Sequence, residues 1–365
     1  MHKPTFLFIV FVCLSFAAIA SDDPAKLLEA ARNGDPEAMF NLGQMYFNGD
    51  GAPQDYRTAL MFIRGAAEKG HVKALRFLAI SYIGGIGVPV DMKESTKWML
   101  KAAEQGDAFA QSIIGGYYSL GDYLPKDLEE AAKWYRKAAE QGDRDAQFYL
   151  GEMYFDGKGV LKNKSEAIKW FRKAGELGHS NAQFRLGWIY SFGESADLNF
   201  KESAFWFQKA ADQGHAGAQY YLGMLYAFGK GVVQNRTEAV KWFRKSAEQG
   251  NSDAQYSIGL AYSTGEGVEK NLYEALNWYK QAAAKENPDA QFNLAVVYAN
   301  GEGVLKSGAA AADWYYRAGH NYLIIGRRDD ALRCVERIRG LSQTLHLVVP
   351  NAQLADLLLM EIYKK

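Results

Sequence analysis

Residues Ala146 to Val160 read AQFYLGEMYFDGKGV, and residues Ala218 to Val232 read AQYYLGMLYAFGKGV, with small, aromatic and glycine residues in the same order. The opening alanine recurs at Ala38, Ala74, Ala110, Ala146, Ala182, Ala218, Ala254 and Ala290, an unbroken interval of 36 residues. A tyrosine keeps one place in every copy, at Tyr46, Tyr82, Tyr118, Tyr154, Tyr190, Tyr226, Tyr262 and Tyr298. Tryptophan keeps another from Trp98 through Trp314, with Phe62 standing in for it in the first copy. A period in this range marks a stacked repeat, in which one supersecondary unit buries its faces only against its neighbours.

Each copy reads as two helices. Ala146, Leu150, Gly151 and Tyr154 share one helical face, and Gly157 and Gly159 end the segment with the backbone freedom of a tight turn. This is helix A. An N-cap residue type follows in every copy (Asp55, Asp91, Asp127, Asn163, Asn199, Asn235, Asn271, Ser307), with Glu94, Glu130, Glu166, Glu202, Glu238 and Glu274 three places later. That spacing predicts a capping box, with reciprocal side-chain and backbone hydrogen bonds, at the start of helix B. The buried stripe of helix B is Ala167, Trp170, Phe171 and Ala174, and Gly178 closes it.

The pattern A-x-x-x-L-G-x-x-Y-x-x-G-x-G-V, followed by A-x-x-W-[FY]-x-K-A-A-E-x-G, resembles the Sel1-like repeat, a relative of the tetratricopeptide repeat. The resemblance implies an all-α fold: a right-handed α-solenoid of helix-turn-helix repeats with a concave binding surface, typically an adaptor in secreted, periplasmic or endoplasmic-reticulum complexes. The expected organisation is a signal peptide at 1–20, a capping half-repeat at 21–37, eight repeats over 38–325 and a tetratricopeptide-like cap at 326–365. A last helix over Asn351 to Tyr363 should cover the final apolar face.

The signal peptide is read from Lys3, the apolar run from Phe6, and Ala18-Ile19-Ala20 ahead of an acidic stretch, with cleavage after Ala20. Export to a periplasm or the outside is the localisation this predicts, or an endoplasmic-reticulum lumen in a eukaryotic source. Cleavage removes Cys13 and leaves Cys334 as the lone cysteine, so no intrachain disulfide is expected. Lys plus Arg and Asp plus Glu both total 42, a balance that gives no overall electrostatic pull toward nucleic acid.

The motifs that suggest chemistry have structural explanations. The Gly-x-Gly pieces follow a helix, whereas a phosphate loop needs a preceding strand. Asn163-Lys164-Ser165 and Asn235-Arg236-Thr237 match a glycosylation sequon, but each asparagine already occupies an N-cap place. His71, His179 and His215 share a turn position with Asp107, Asp143, Asn251 and Asn287, which fits capping and not metal binding. The sequence contains no His-Glu-x-x-His, Cys-x-x-Cys, Gly-x-Ser-x-Gly, Ser-x-x-Lys or Walker signature. Cysteine-rich secreted relatives linked to β-lactam chemistry carry a disulfide in each repeat, and this chain has none of those cysteines. A non-catalytic protein without cofactor or metal is expected.

On helix A the positions equivalent to Tyr149, Glu152 and Asp156 point away from the core face. These places vary from copy to copy, and in the fourth to sixth copies they gather Tyr149, Arg185, Trp188, Phe192, Tyr221, Met224 and Phe228. Aromatic, Met and Arg side chains are the types enriched at binding hot spots, so this set is the candidate site for a protein or peptide partner. The competing reading is that neighbouring A helices press together and these side chains pack on each other. Envelope polysaccharide export stands as an alternative role by resemblance to other solenoids, and a cell-wall hydrolase as a third.

Overall fold

The computed structural model describes residues 24–194, 197–344 and 350–363; the expected signal peptide and Cys13 lie outside them. The described residues form nineteen helices and no strand, an all-α solenoid of helix-turn-helix repeats. They divide into two compact units, one through His179 and one from Ser180. The first holds α1 (Pro24–Arg32), then α2 (Pro36–Asn48), α3 (Tyr56–Glu68), α4 (Val72–Gly84), α5 (Met92–Glu104), α6 (Ala108–Leu120), α7 (Leu128–Glu140), α8 (Arg144–Asp156) and α9 (Lys164–Glu176). The second holds α10 (Ser180–Phe192), α11 (Phe200–Asp212), α12 (Ala216–Phe228), α13 (Arg236–Glu248), α14 (Ser252–Thr264), α15 (Leu272–Ala283), α16 (Pro288–Asn300), α17 (Gly308–Ile324), α18 (Arg328–Thr344) and α19 (Pro350–Tyr363). Even-numbered helices from α2 to α16 are A helices, and the odd-numbered partners that follow them are B helices.

Within a repeat the two helices meet through a glycine on A and a large side chain on B. A Cβ on Gly151 would stand 2.7 Å from the Phe171 ring, and one on Gly223 would stand 2.7 Å from Phe243. Phe171 is fully buried and Phe243 is nearly so, each lying against helix backbone that only glycine leaves bare. The second glycine of the Gly-x-Gly turn has a different task. Gly159 is left-handed at φ +68°, and a Cβ there would overlap the Leu128 carbonyl of the preceding repeat. The motif is therefore a close backbone crossing between repeats.

The caps form as half of the expected box. Asp91 Oδ1 accepts from the Lys93 and Glu94 amides at 2.9 and 3.0 Å, and Asn235 Oδ1 accepts from the Glu238 amide at 3.0 Å. The reciprocal half is absent. The N-cap amide donates instead to the carbonyl of the invariant tyrosine, as in Asn163 to Tyr154 at 2.8 Å and Asn235 to Tyr226 at 2.9 Å. With that donor taken, the glutamates turn outward: Glu130, Glu166 and Glu238 pair with the lysine three residues on. The backbone bond holds the A–B turn in one conformation, and it is closed in every repeat from Asp55 to Ser307.

A buried glutamine in each A helix from α6 to α16 ties successive repeats. Gln111 and Gln219 donate to the Ala103 and Ala211 carbonyls at 3.0 and 3.2 Å. Their own oxygens accept from Gln141 and Gln249, at 2.8 and 2.7 Å, at the end of the next B helix. Where that second glutamine is replaced by Leu177 or Lys285, the Gln147 and Gln255 oxygens are buried without a hydrogen bond. The signal for this chain of bonds was the recurring Ala-Gln pair.

Candidate protein-interaction surface

α6 touches α8 in the first unit and α10 touches α12 in the second, while no two successive B helices of the repeats approach as closely. These four A helices therefore lie on the inner side of their units. The variable A-helix positions alternate with the buried stripe as expected: Leu150 is buried and the adjacent Tyr149 is 47% exposed. α4 departs most, because Phe77 and Ile80 are buried too, and in α2 Gln44 is buried at the place of Ile80. Phe77 meets Phe40 and Phe47 edge-on at 6.3 and 4.9 Å, which closes that part of the surface.

In the second unit the candidate residues of α10 and α12 form a run of rings. Trp188 lies 6.0 Å from Phe192, and Phe192 meets Tyr221 edge-on at 5.3 Å. Tyr221 stacks on the buried Phe207 at 5.4 Å, so one face of it belongs to the core. Burial and the nearby Asp253 carboxylate hold its hydroxyl above the ordinary tyrosine range. Phe192 and Phe228 are 54% and 64% exposed, an unusual state for phenylalanine. Arg185 is half-buried on the same helix as Trp188. Met224 and Phe228 border a recess of about 170 Å³ with Leu260 and Thr264 of α14, rimmed by the Arg236–Glu266 pair at 3.5 Å. Packing and exposure thus divide within the set: Tyr221 and Met224 reach into the core clusters, and Phe192 and Phe228 face solvent.

Tyr149 belongs to the first unit and to a different recess. It stacks on Tyr135 at 5.3 Å and borders a pocket of about 490 Å³ that crosses α4, α6 and α8. Ile80, Ile113 and Leu120 supply apolar walls, and Asp145 stands at the α8 end. Burial pushes the Tyr117 hydroxyl up to about 12, and burial with the adjacent Asp145 raises that of Tyr149. The sequence placed Ile80, Gly116 and Leu120 at the variable A-helix positions, but the emphasis on aromatic residues passed over this recess, which a missing side chain opens.

Two of the three shared turn histidines are seen to act as caps. His71 and His215 accept the Ala74 and Ala218 amides on Nδ1 at 3.2 and 3.1 Å. The rings of His179 and His215 stack on Phe148 and Phe184 at 4.4 and 4.5 Å. Among the described residues no three His, Cys, Asp or Glu side chains converge as metal ligands, and no helix is long and apolar enough to cross a membrane. Cys334 is buried, and burial pushes its thiol up to about 12, far from a reactive thiolate.

Comparison with known proteins agrees with this geometry. The Sel1 repeat model matches eight consecutive segments, 36–71, 72–107, 108–143, 144–179, 180–215, 216–251, 252–287 and 288–321. A solved protective antigen of uropathogenic Escherichia coli with an SLR fold is 34% identical, with TM-score 0.74, over 88% of this chain and 72% of that one. A Sel1 repeat protein from Oxalobacter formigenes is 28% identical, with TM-score 0.60, over 91% and 93% of the two chains. No curated protein matches the chain. Eight in-register matches, the paired A and B helices and these two structures together place the chain in the Sel1 repeat family.

Proposed function

We propose that this protein is an exported, non-catalytic scaffold that holds a protein or peptide partner on the inner, A-helix side, as an adaptor in a cell-envelope or secreted complex. Sel1 repeat proteins are in general protein-interaction scaffolds. The observation that carries the reading here is the exposure of Phe192 and Phe228 beside Trp188 and Tyr221 in the second unit. Rigid aromatic side chains left in solvent bury large area on binding at modest entropic cost. Export is supported by the apolar leader ahead of Ser21 and by the description of the similar Escherichia coli structure as a protective antigen.

Phe192→Ser with Phe228→Ser removes exposed rings without opening the core, so the variant should melt as the parent does. Captured from native envelope extract, the partner retained by the parent should fall at least tenfold on the variant. Equal recovery would remove these residues from the binding surface. Intact mass of the protein recovered from cells should correspond to a chain beginning at Ser21, and an uncleaved chain would count against export.

A further inference from the structure

We propose that the recess of the first unit is a separate docking site for a short extended peptide segment that is apolar in its middle and basic at one end. Only the choice of a peptide rests on the scaffold reading; the site lies in the other unit from Phe192 and Phe228.

The recess exists because one A-helix position lacks a side chain. Gly116 occupies the place held by Ile80 in the preceding repeat and Glu152 in the next. A Cβ built on it would meet only the Tyr135 hydroxyl, at 3.6 Å, an ordinary contact. This glycine therefore serves neither a turn nor a helix crossing, unlike its neighbour Gly115, whose Cβ would stand 2.8 Å from the Tyr135 ring. Its effect is to leave a pocket of about 490 Å³, within the roughly 300–1,000 Å³ typical of ligand sites.

Size and chemistry narrow the occupant. The recess crosses three successive A helices, α4, α6 and α8, and two helix spacings of about 8–10 Å make a path of roughly 16–20 Å. Extended chain covers about 3.3 Å per residue, so some five or six residues fit. The floor and walls, with Ile80, Ile113, Met99 and Leu120, are apolar, and Leu120 stands 68% exposed at the mouth. Tyr135 and Tyr149 add aromatic faces. Among the described residues Asp145 is the only charged side chain on the lining. Its present partner is the adjacent Arg144 at 3.3 Å, with both side chains 57% exposed, a pair that solvent weakens and an incoming cation can replace. His179 lies 3.7 Å from the same carboxylate, and burial lowers its affinity for a proton, so it supplies no competing cation at neutral pH. A carboxylate at one end of an apolar channel selects a lysine or arginine and rejects an acidic residue.

The test uses the full-length protein and two fluorescein-labelled octapeptides with a Leu-Phe centre, flanked at both ends by Lys in one and by Glu in the other. Anisotropy should show saturable binding of the Lys-flanked peptide, at least tenfold tighter than the Glu-flanked one. Gly116→Leu fills the recess from a position with room for it, so it should weaken that binding tenfold or more with no fall in melting temperature. Asp145→Asn should bring the two peptides within threefold of each other while leaving apolar binding in place. No saturable binding, equal affinity of the parent for both peptides, or binding indifferent to Gly116→Leu would each overturn the proposal. The Phe192 and Phe228 substitutions should leave the peptide affinity unchanged, which separates failure here from failure of the second-unit surface.

Discussion

At Gln147 an amide oxygen is buried with no donor, although the nitrogen of the same side chain donates to the Ala139 carbonyl at 3.1 Å. In two neighbouring repeats the missing donor is a glutamine 30 residues further on, as in Gln141 to Gln111 and Gln213 to Gln183. Here that place holds Leu177, itself 52% exposed, so the substitution leaves an apolar side chain in water and a polar atom out of it. Leu177→Gln restores the donor and should stabilise the protein by about 1 kcal/mol, the usual net value of such a bond, read as a shift in the urea midpoint. No gain would mean that an ordered water already serves the oxygen. His215 gives a second residue-scale expectation. Its Nδ1 must stay unprotonated to accept the Ala218 amide, and burial lowers its proton affinity from the ordinary value of 6.5. The folded state then binds fewer protons than the unfolded one, so this stabilisation is complete above about pH 6.5 and is lost as pH falls through the lowered folded value. Asn251, at the equivalent place, accepts the Ala254 amide at 2.9 Å with a side chain that does not titrate. His215→Asn should therefore flatten the fall in melting temperature as pH drops below about 6.5; an unchanged slope would assign that fall to other groups.

The helices themselves were legible because each signal is local and repeated. The N-cap residues, the ending glycines and Ala167, Phe171 and Ala174 of the buried stripe depend on spacing within one helix and are found where expected, whereas Trp170 of the same stripe is only partly buried. The glutamate of the capping box was misread because its outcome depends on a competitor outside the helix. The Tyr226 carbonyl, nine residues before Asn235, takes the amide that Glu238 was expected to satisfy. The first-unit recess was illegible for a related reason: it depends on a side chain missing at Gly116 and on walls drawn from five helices, α4 to α8, whose lining runs from Ile80 to Tyr149 and so leaves no local pattern. The correction has a measurable consequence at α13. Asn235→Ala removes the acceptor for the Glu238 amide and should cost about 1 kcal/mol. Glu238→Ala removes only its exposed pair with Lys241 at 2.9 Å, and should cost about 0.5 kcal/mol or less. Comparable losses in the two variants would restore the reciprocal box.

Across the whole molecule, stability should follow from contacts between neighbours. Each repeat helix packs mainly on the helix before and the helix after it, and within each unit the buried clusters hand over from one repeat to the next without a common centre. Such a chain behaves as a sum of repeat stabilities and nearest-neighbour terms. Deleting residues 216–251 removes α12 and α13 as one complete period and joins His215 to Ser252. The junction keeps a cap residue before an A helix, and the Phe184–His215 stack, with both partners upstream of the cut, is preserved. Phe207, which loses its stack on Tyr221, and the Ile258 face of α14 are the groups that must repack, and each has an equivalent in the repeat removed. The shortened chain should remain helical by circular dichroism and melt cooperatively. Its heat-capacity change on unfolding should fall by about 0.5 kcal/mol/K, the share of 36 residues at about 14 cal/mol/K each. A closed core would respond otherwise, because removing one wall exposes all the others, and a broad, non-cooperative melt of the deletion variant would refute the neighbour-only account.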